Sequence, residues 1–332
     1  MKSLTALVIS FGLVGLTVTL SADTHRFVPA AFYKTIASDH PPALRLKSGD
    51  RVSTSTTDEL TGPFYVEGAE PGDLLVVTIE TLTPNAVTGF STSVMAVNSI
   101  DPGSITSKPD STRFPWTIDK EKGIVRLDLH AVSKSTDWKS RFTTPAFEMP
   151  LAPSLRSIGV ASSNTQGGNL IASGVGAGAK AMLPVFQEGA LLYLGHGQAR
   201  QGDGDVTGTG IETSLDVEFS VEVVKKKSWP HSSVVRPSTV VGEFEMGWPR
   251  IETADYLMAV ASGSSLQQAL QHATIELHHW LDDDFGLSEK SVSLFVGQAV
   301  EYEIASIAEP NMTVVAKVRK AYLPTACSPA GC

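Results

Sequence analysis

The segment "LDVEFSVEV" alternates strictly. Leu215, Val217, Phe219, Val221 and Val223 face one way, while Asp216, Glu218, Ser220 and Glu222 face the other. A period of two puts one face on a core and one in water, so the segment reads as a strand of a half-solvated sheet. "ALRLKSGDRVSTST" alternates around a turn at Ser48 to Asp50 and reads as a strand pair. "GDLLVVTIETL" is a further strand after Pro71-Gly72, and "GIVRLDLH" is another, ending at His130. "AMLPVFQEGALLYLGHG" reads as two short strands about Gln187-Glu188-Gly189. Many short strands separated by Gly and Pro turns, from Phe27 to about Val224, argue for a sandwich or barrel.

The period changes after "KKKSWPHSSVVRP", which reads as a linker. "SLQQALQHATIELHHWL" predicts a helix capped at Ser264 or Ser265, with Leu266, Leu270, Ala273, Leu277 and Leu281 as its apolar stripe. "SEKSVSLFVGQAVEYEIASIA" predicts a second helix from Ser288, with Leu294, Val300 and Ile304 among its apolar positions. "MTVVAKVRKAYL" closes the pattern as a strand. The expected organisation is a leader at 1–22, a β-rich core at 23–224, a linker at 225–237, an α/β part at 238–324 and a tail at 325–332.

Composition narrows the classes. With 332 residues and 42% hydrophobic residues the chain can bury a sizeable core. A formal charge of -9 repels phosphate backbones, so nucleic acid is not an expected partner. Lys2 followed by "LTALVISFGLVGLTVTL" reads as a secretory signal peptide cut near Ala22 or Asp23, with a retained membrane anchor as the other reading. Cleavage would leave an exported chain, periplasmic or extracellular, with no stable membrane association. Cys327 and Cys332 are the two cysteines, free to pair or to remain thiols in the tail.

Candidate chemistry gathers just before the alternating strand, in "GHGQARQGDGDVTGTGIE". Gly202, Gly204, Gly208 and Gly210 permit sharp turns and close backbone approach. Asp203 and Asp205, separated by one glycine, could share a cation, with His196 and Glu212 at hand. A Gly-Asp turn with solvated acids is the plainer alternative. His272, His278 and His279 lie on the first helix without the His-Glu-x-x-His order of a zinc protease. No Gly-x-Ser-x-Gly elbow is present either.

"LPVFQEGALLYLGHGQARQGDGDVTGTGIETSLDVEFSVEV" resembles the acetamidase/formamidase family, as do "TGPFYVEGAEPGDLLVVTIETLTPN", "SIGVASSNTQGGNL" and "GLSEKSVSLFVGQAVEYEIASIAEPNMTVVAKV". These blocks span nearly the whole mature chain in the family's order. The resemblance implies a mainly β fold, a β-sandwich core completed by a C-terminal helix-containing α/β segment. It also implies hydrolysis of small linear amides to ammonia and a carboxylate, and a divalent metal, zinc or calcium, that activates water. On that basis Asp58, His196 and Asp203 are the expected metal ligands, with Asp205 as ligand or proton shuttle. Glu212 is the candidate general base or an orienter, and Gln201 and Asn169 are expected against substrate. The partner implied is a small-molecule amide, and a homo-oligomer is compatible with the family.

The chain departs from the family's pattern at three places. His196 stands where the family usually has Asp, Gln198 where it has His, and Ile171 where it has Asp. Those changes leave open a second reading, a noncatalytic exported β-sandwich binding protein, and a third, a calcium-stabilised structural protein.

Overall fold

The structure, a computed structural model, describes residues 22–104, 112–132, 145–162, 175–226, 235–237, 244–308 and 310–324. Two large sheets make the body. One has nine strands in the order Thr24–Arg26, Arg51–Thr56, Leu215–Val224, Leu74–Pro84, Lys180–Pro184, Arg250–Glu252, Tyr256–Gly263, Met312–Arg319 and Glu301–Ser306. The other runs Leu44–Leu46, Leu60–Val66, Leu192–Arg200, Ile211–Glu212, Thr88–Thr92, Arg113–Asp119, Ile124–Asp128 and Ala146–Pro150. Ser154–Val160 pairs antiparallel with Leu192–Arg200 in this second sheet. Val235–Pro237 pairs antiparallel with Phe244–Met246 in a separate two-stranded sheet.

The alternating strand behaves as its pattern requires. Leu215, Val217, Phe219 and Val221 are buried, and Asp216, Glu218 and Glu222 are exposed. It lies between Arg51–Thr56 and Leu74–Pro84, with Phe219 opposite Val52 on one side and Ile79 on the other. Across the sandwich the Phe219 ring meets Phe64 of the second sheet edge-on, with centroids 5.3 Å apart. One apolar cluster therefore spans both sheets.

Two expected strand pairs separate. The segments on either side of Ser48–Asp50 enter different sheets, Leu44–Leu46 beside Leu60–Val66 and Arg51–Thr56 beside Leu215–Val224. Likewise Lys180–Pro184 joins the first sheet and Leu192–Arg200 the second. Both turns are corners of the sandwich. At the first, Gly49 has φ +99° and the Asp50 carboxylate accepts hydrogen bonds from Lys47 N at 2.8 Å and Asp23 N at 2.9 Å. Local alternation reports which face is buried, and carries no information on which strand is the partner.

The C-terminal part extends the first sheet and lays helices on it. Leu266–Phe285 is capped by Ser265, whose hydroxyl accepts from Gln268 N, and stops at Gly286 with φ +62°. Its buried face carries Ala269, Ala273, Leu277, Trp280 and Leu281, so the expected stripe is corrected at its start. Leu266 and Leu270 are 37% and 39% exposed. The helix begins hard against the end of its preceding strand. A Cβ on Gly263 would lie 2.8 Å from Ala269 N, so this close approach requires glycine there.

The second helix is also shorter than expected. It spans Glu289–Ala299 from its Ser288 cap, and the chain from Glu301 to Ser306 is an edge strand with Ile304 partly in solvent. Likewise His130 belongs to the short helix Leu129–Val132 that follows its strand. At the start of the expected linker, Lys225 Nζ bonds Asp73 at 2.6 Å. Residues 227–234 lie outside the described residues, as do the leader up to Ser21, Asn169, Ile171 and both cysteines.

Candidate active site at the glycine-rich bulge

The site grows from one strand. Leu192–Arg200 carries Gly195 and Gly197 on either side of His196, which takes φ +49° where the strand buckles. Both glycines are required by neighbours. A Cβ at Gly195 would sit 2.4 Å from Glu59 O, and one at Gly197 would sit 2.7 Å from Thr56 Oγ1 and Leu215 Cγ. The buckle lets the chain of the Arg51–Thr56 corner press close, and it brings the next residues of the strand onto the short strand Ile211–Glu212.

A row of side chains crosses the sheet there. Gln198 pairs with Ser154 on one side and Glu212 on the other, and Glu212 pairs with Phe90 beyond it. Gln198 is fully buried and donates Nε2–H to Glu212 Oε1 at 2.8 Å. Gly210 makes space for that amide, since a Cβ there would lie 2.7 Å from Gln198 Cδ. Glu212 Oε2 and Gln198 Oε1 have no hydrogen-bond partner among the described residues. Burial pushes the Glu212 carboxyl above its ordinary value, against the pull of the Gln198 amide and the Arg156 charge, and Asp205 adds to the rise.

Arg156 anchors the second half of the site. It lies on Ser154–Val160, a strand whose seven residues are all buried, and its Nε and Nη2 donate to Asp205 Oδ2 at 2.9 and 2.7 Å. Asp205 itself sits at φ +46° after Gly204 at φ +82°, in a turn of 3₁₀ type from Asp203 to Asp205. This turn is held from outside by Ile307 N, which donates to Gly204 O at 2.9 Å. Ala96 N does the same to Val206 O at 2.7 Å. The glycines thus let the chain fold back so that one acid of the pair turns inward. The other, Asp203, is exposed.

Beside Glu212 opens a cavity of about 270 Å³ lined by Thr57, Asp58, Thr88, Gly89, Phe90 and Ser214, among others. Asp58 stands exposed at its rim, on the turn after Arg51–Thr56. The structure therefore brings Asp58 and Glu212 to one cavity, and Glu212, Asp205, Gln198 and Arg156 to one buried cluster. His196 is half-buried on the buckle, and Gln201 is half-buried with its Nε2 unpaired among the described residues. Sequence reasoning did not single out Arg156. The available signal was a lone arginine inside "SLRSIGV", an otherwise uncharged strand.

Among the described residues no three His, Cys, Asp or Glu side chains gather so as to hold a metal ion. Asp205 is engaged by a guanidinium and Asp203 points away into solvent. Among the described residues this donor set does not fit a divalent cation.

The family model "Acetamidase/Formamidase family" matches residues 153–325. The acetamidase of Mycolicibacterium smegmatis is 27% identical over 236 residues, which cover 56% of this chain and 58% of that protein. This chain thus matches a little over half the length of that relative. The crystal structure of the acetamidase from Yersinia enterocolitica superposes with a TM-score of 0.73 at 22% identity, covering 94% of this chain and 96% of that one. The acetamidase of Bacillus halodurans gives 0.68 at 23%, over 90% and 98%. Two sheets, the buckled strand and the glycine-rich turn are thus the setting of a family match that takes in more than half of the residues, and the chain belongs to the acetamidase/formamidase family.

Proposed function

We propose that the chain hydrolyses the C–N bond of small linear amides, formamide and acetamide among them, to ammonia and a carboxylate. The observation that carries this reading is the cavity of about 270 Å³ with two carboxyls in unlike settings, Asp58 at the rim and Glu212 in the wall. Its volume lies just below the usual range of small-molecule sites, so it suits a ligand of few atoms. Thr57, Thr88 and Ser214 offer hydroxyls for the amide group, and Phe90 offers an apolar wall for a short alkyl group.

Two carboxyls, one buried in the wall and one exposed at the rim, are placed to divide acid from base work. Glu212, whose hold on a proton is raised by burial, is placed to donate one to the departing nitrogen. Asp58 takes a proton from the attacking water. Gln198 orients Glu212 through its amide.

The test is ammonia release by mature protein from formamide, acetamide and amides of increasing bulk. Turnover is expected for the smallest amides, and Glu212→Gln is expected to lower kcat about 100-fold or more with KM little changed. No release from any amide by protein shown to be folded would overturn the reading.

A further inference from the structure

A buried carboxylate needs positive charge or several donors close by. In a site of this family's shape a divalent ion is one source. Here a guanidinium supplies that charge. The Arg156 and Asp205 side chains are 8% and 0% exposed, and two N–H groups of one reach a single oxygen of the other. In register Arg156 falls opposite His196, because Leu155 pairs with Gly197 and Ser157 with Gly195. The cation thus comes from the strand lying against the buckle, at the place where the expected ligand His196 departs from the sheet. A further ion at this point would meet the charge of Arg156 in a medium that screens it little.

We propose that Arg156 is the resident cation of this site, and that the chain folds and holds its acid cluster without a divalent metal. Arg156 is a positioning residue. It binds Asp205, and through Asp205 it pins the turn of Gly202 to Gly210 beneath Glu212. The neutral amide of Gln198 at Glu212 belongs to the same arrangement, since its N–H reaches one carboxyl oxygen directly. This inference stands apart from the amide reading, because metal content and melting do not depend on what the cavity takes.

Elemental analysis of the purified wild type for zinc and calcium, with melting before and after dialysis against EDTA, is the first measurement. Less than about a tenth of an equivalent of either ion and an unchanged Tm are expected, since there is no bound ion whose loss would shift folding. About one equivalent of an ion whose removal lowers Tm would overturn the proposal. The second measurement is a pair of variants. Arg156→Met takes the guanidinium away from a buried carboxylate and lowers Tm by roughly 10 °C or abolishes folding. Adding Asp205→Asn to it recovers most of that loss, because neither buried charge remains. A double variant no more stable than the single one would overturn the pairing.

Discussion

Gly195 and Gly197 flank His196, and each faces a backbone or side chain too close for a methyl group. Gly195→Ala is therefore expected to cost about 1–3 kcal/mol through overpacking, read as a lower urea midpoint at unchanged slope. Asp50 gives the residue scale its pH dependence. Burial pushes its carboxyl up, but the N–H groups of Lys47 and Asp23 and the His25 ring outweigh that and hold it below the ordinary aspartate value. A depressed folded value means the unfolded chain takes up the proton first as pH falls. The stabilisation is then present above roughly pH 4, the ordinary carboxyl range, and is lost as pH falls through the folded value. Urea unfolding between pH 3 and 7 should show Asp50→Asn less stable at neutrality, with the gap to wild type closing in acid.

At the scale of elements, the helix Leu266–Phe285 separates what periodicity predicts from what contact decides. Its cap was legible: Ser265 accepts from Gln268 N at 3.2 Å, and Ser265→Ala is expected to cost about 1 kcal/mol. The buried stripe was legible only in its second half. Leu277 is fully buried and Leu270 is 39% exposed, though both are leucines on the expected face. Thermal unfolding should report about 2–5 kcal/mol lost by Leu277→Ala and under about 1 kcal/mol by Leu270→Ala. The strand Glu301–Ser306 was read as helix for a related reason. "EYEIAS" places Ile304 four residues from Val300, which suits a helix. In the folded chain the edge of a sheet lies beside it, and pairing with Met312–Arg319 prevails.

At the scale of the whole molecule, a helix layer is tied to a nine-stranded sheet through a fully buried pair. Arg250 Nε donates to Glu276 Oε1 at 2.6 Å, with side chains 1% and 2% exposed. Glu276→Gln removes the charge that pairs with Arg250, and its expected cost is about 3–5 kcal/mol in chemical denaturation. Nothing local marks the two as a pair, since Arg250 follows "GWP" at a strand start and Glu276 lies 26 residues on, in "TIELHH". The same holds for Arg156 and Asp205, which lie 49 residues apart in the chain.

By itself the sequence determined that the chain is mainly β, where its amphipathic strands and capped helices lie, and that Glu212 and Asp205 belong to a special stretch. These are properties of neighbours a few positions apart, and alternation, caps and glycine runs are written at that range. Only the tertiary structure decided which strands pair, that the Ser48–Asp50 turn is a corner between sheets, and that Asp203 and Asp205 part to solvent and interior. It also decided that an arginine from a distant strand meets the inward acid. Pairing of strands and the fate of a buried charge depend on what lies across the core, and that information enters only when both sheets have closed on each other.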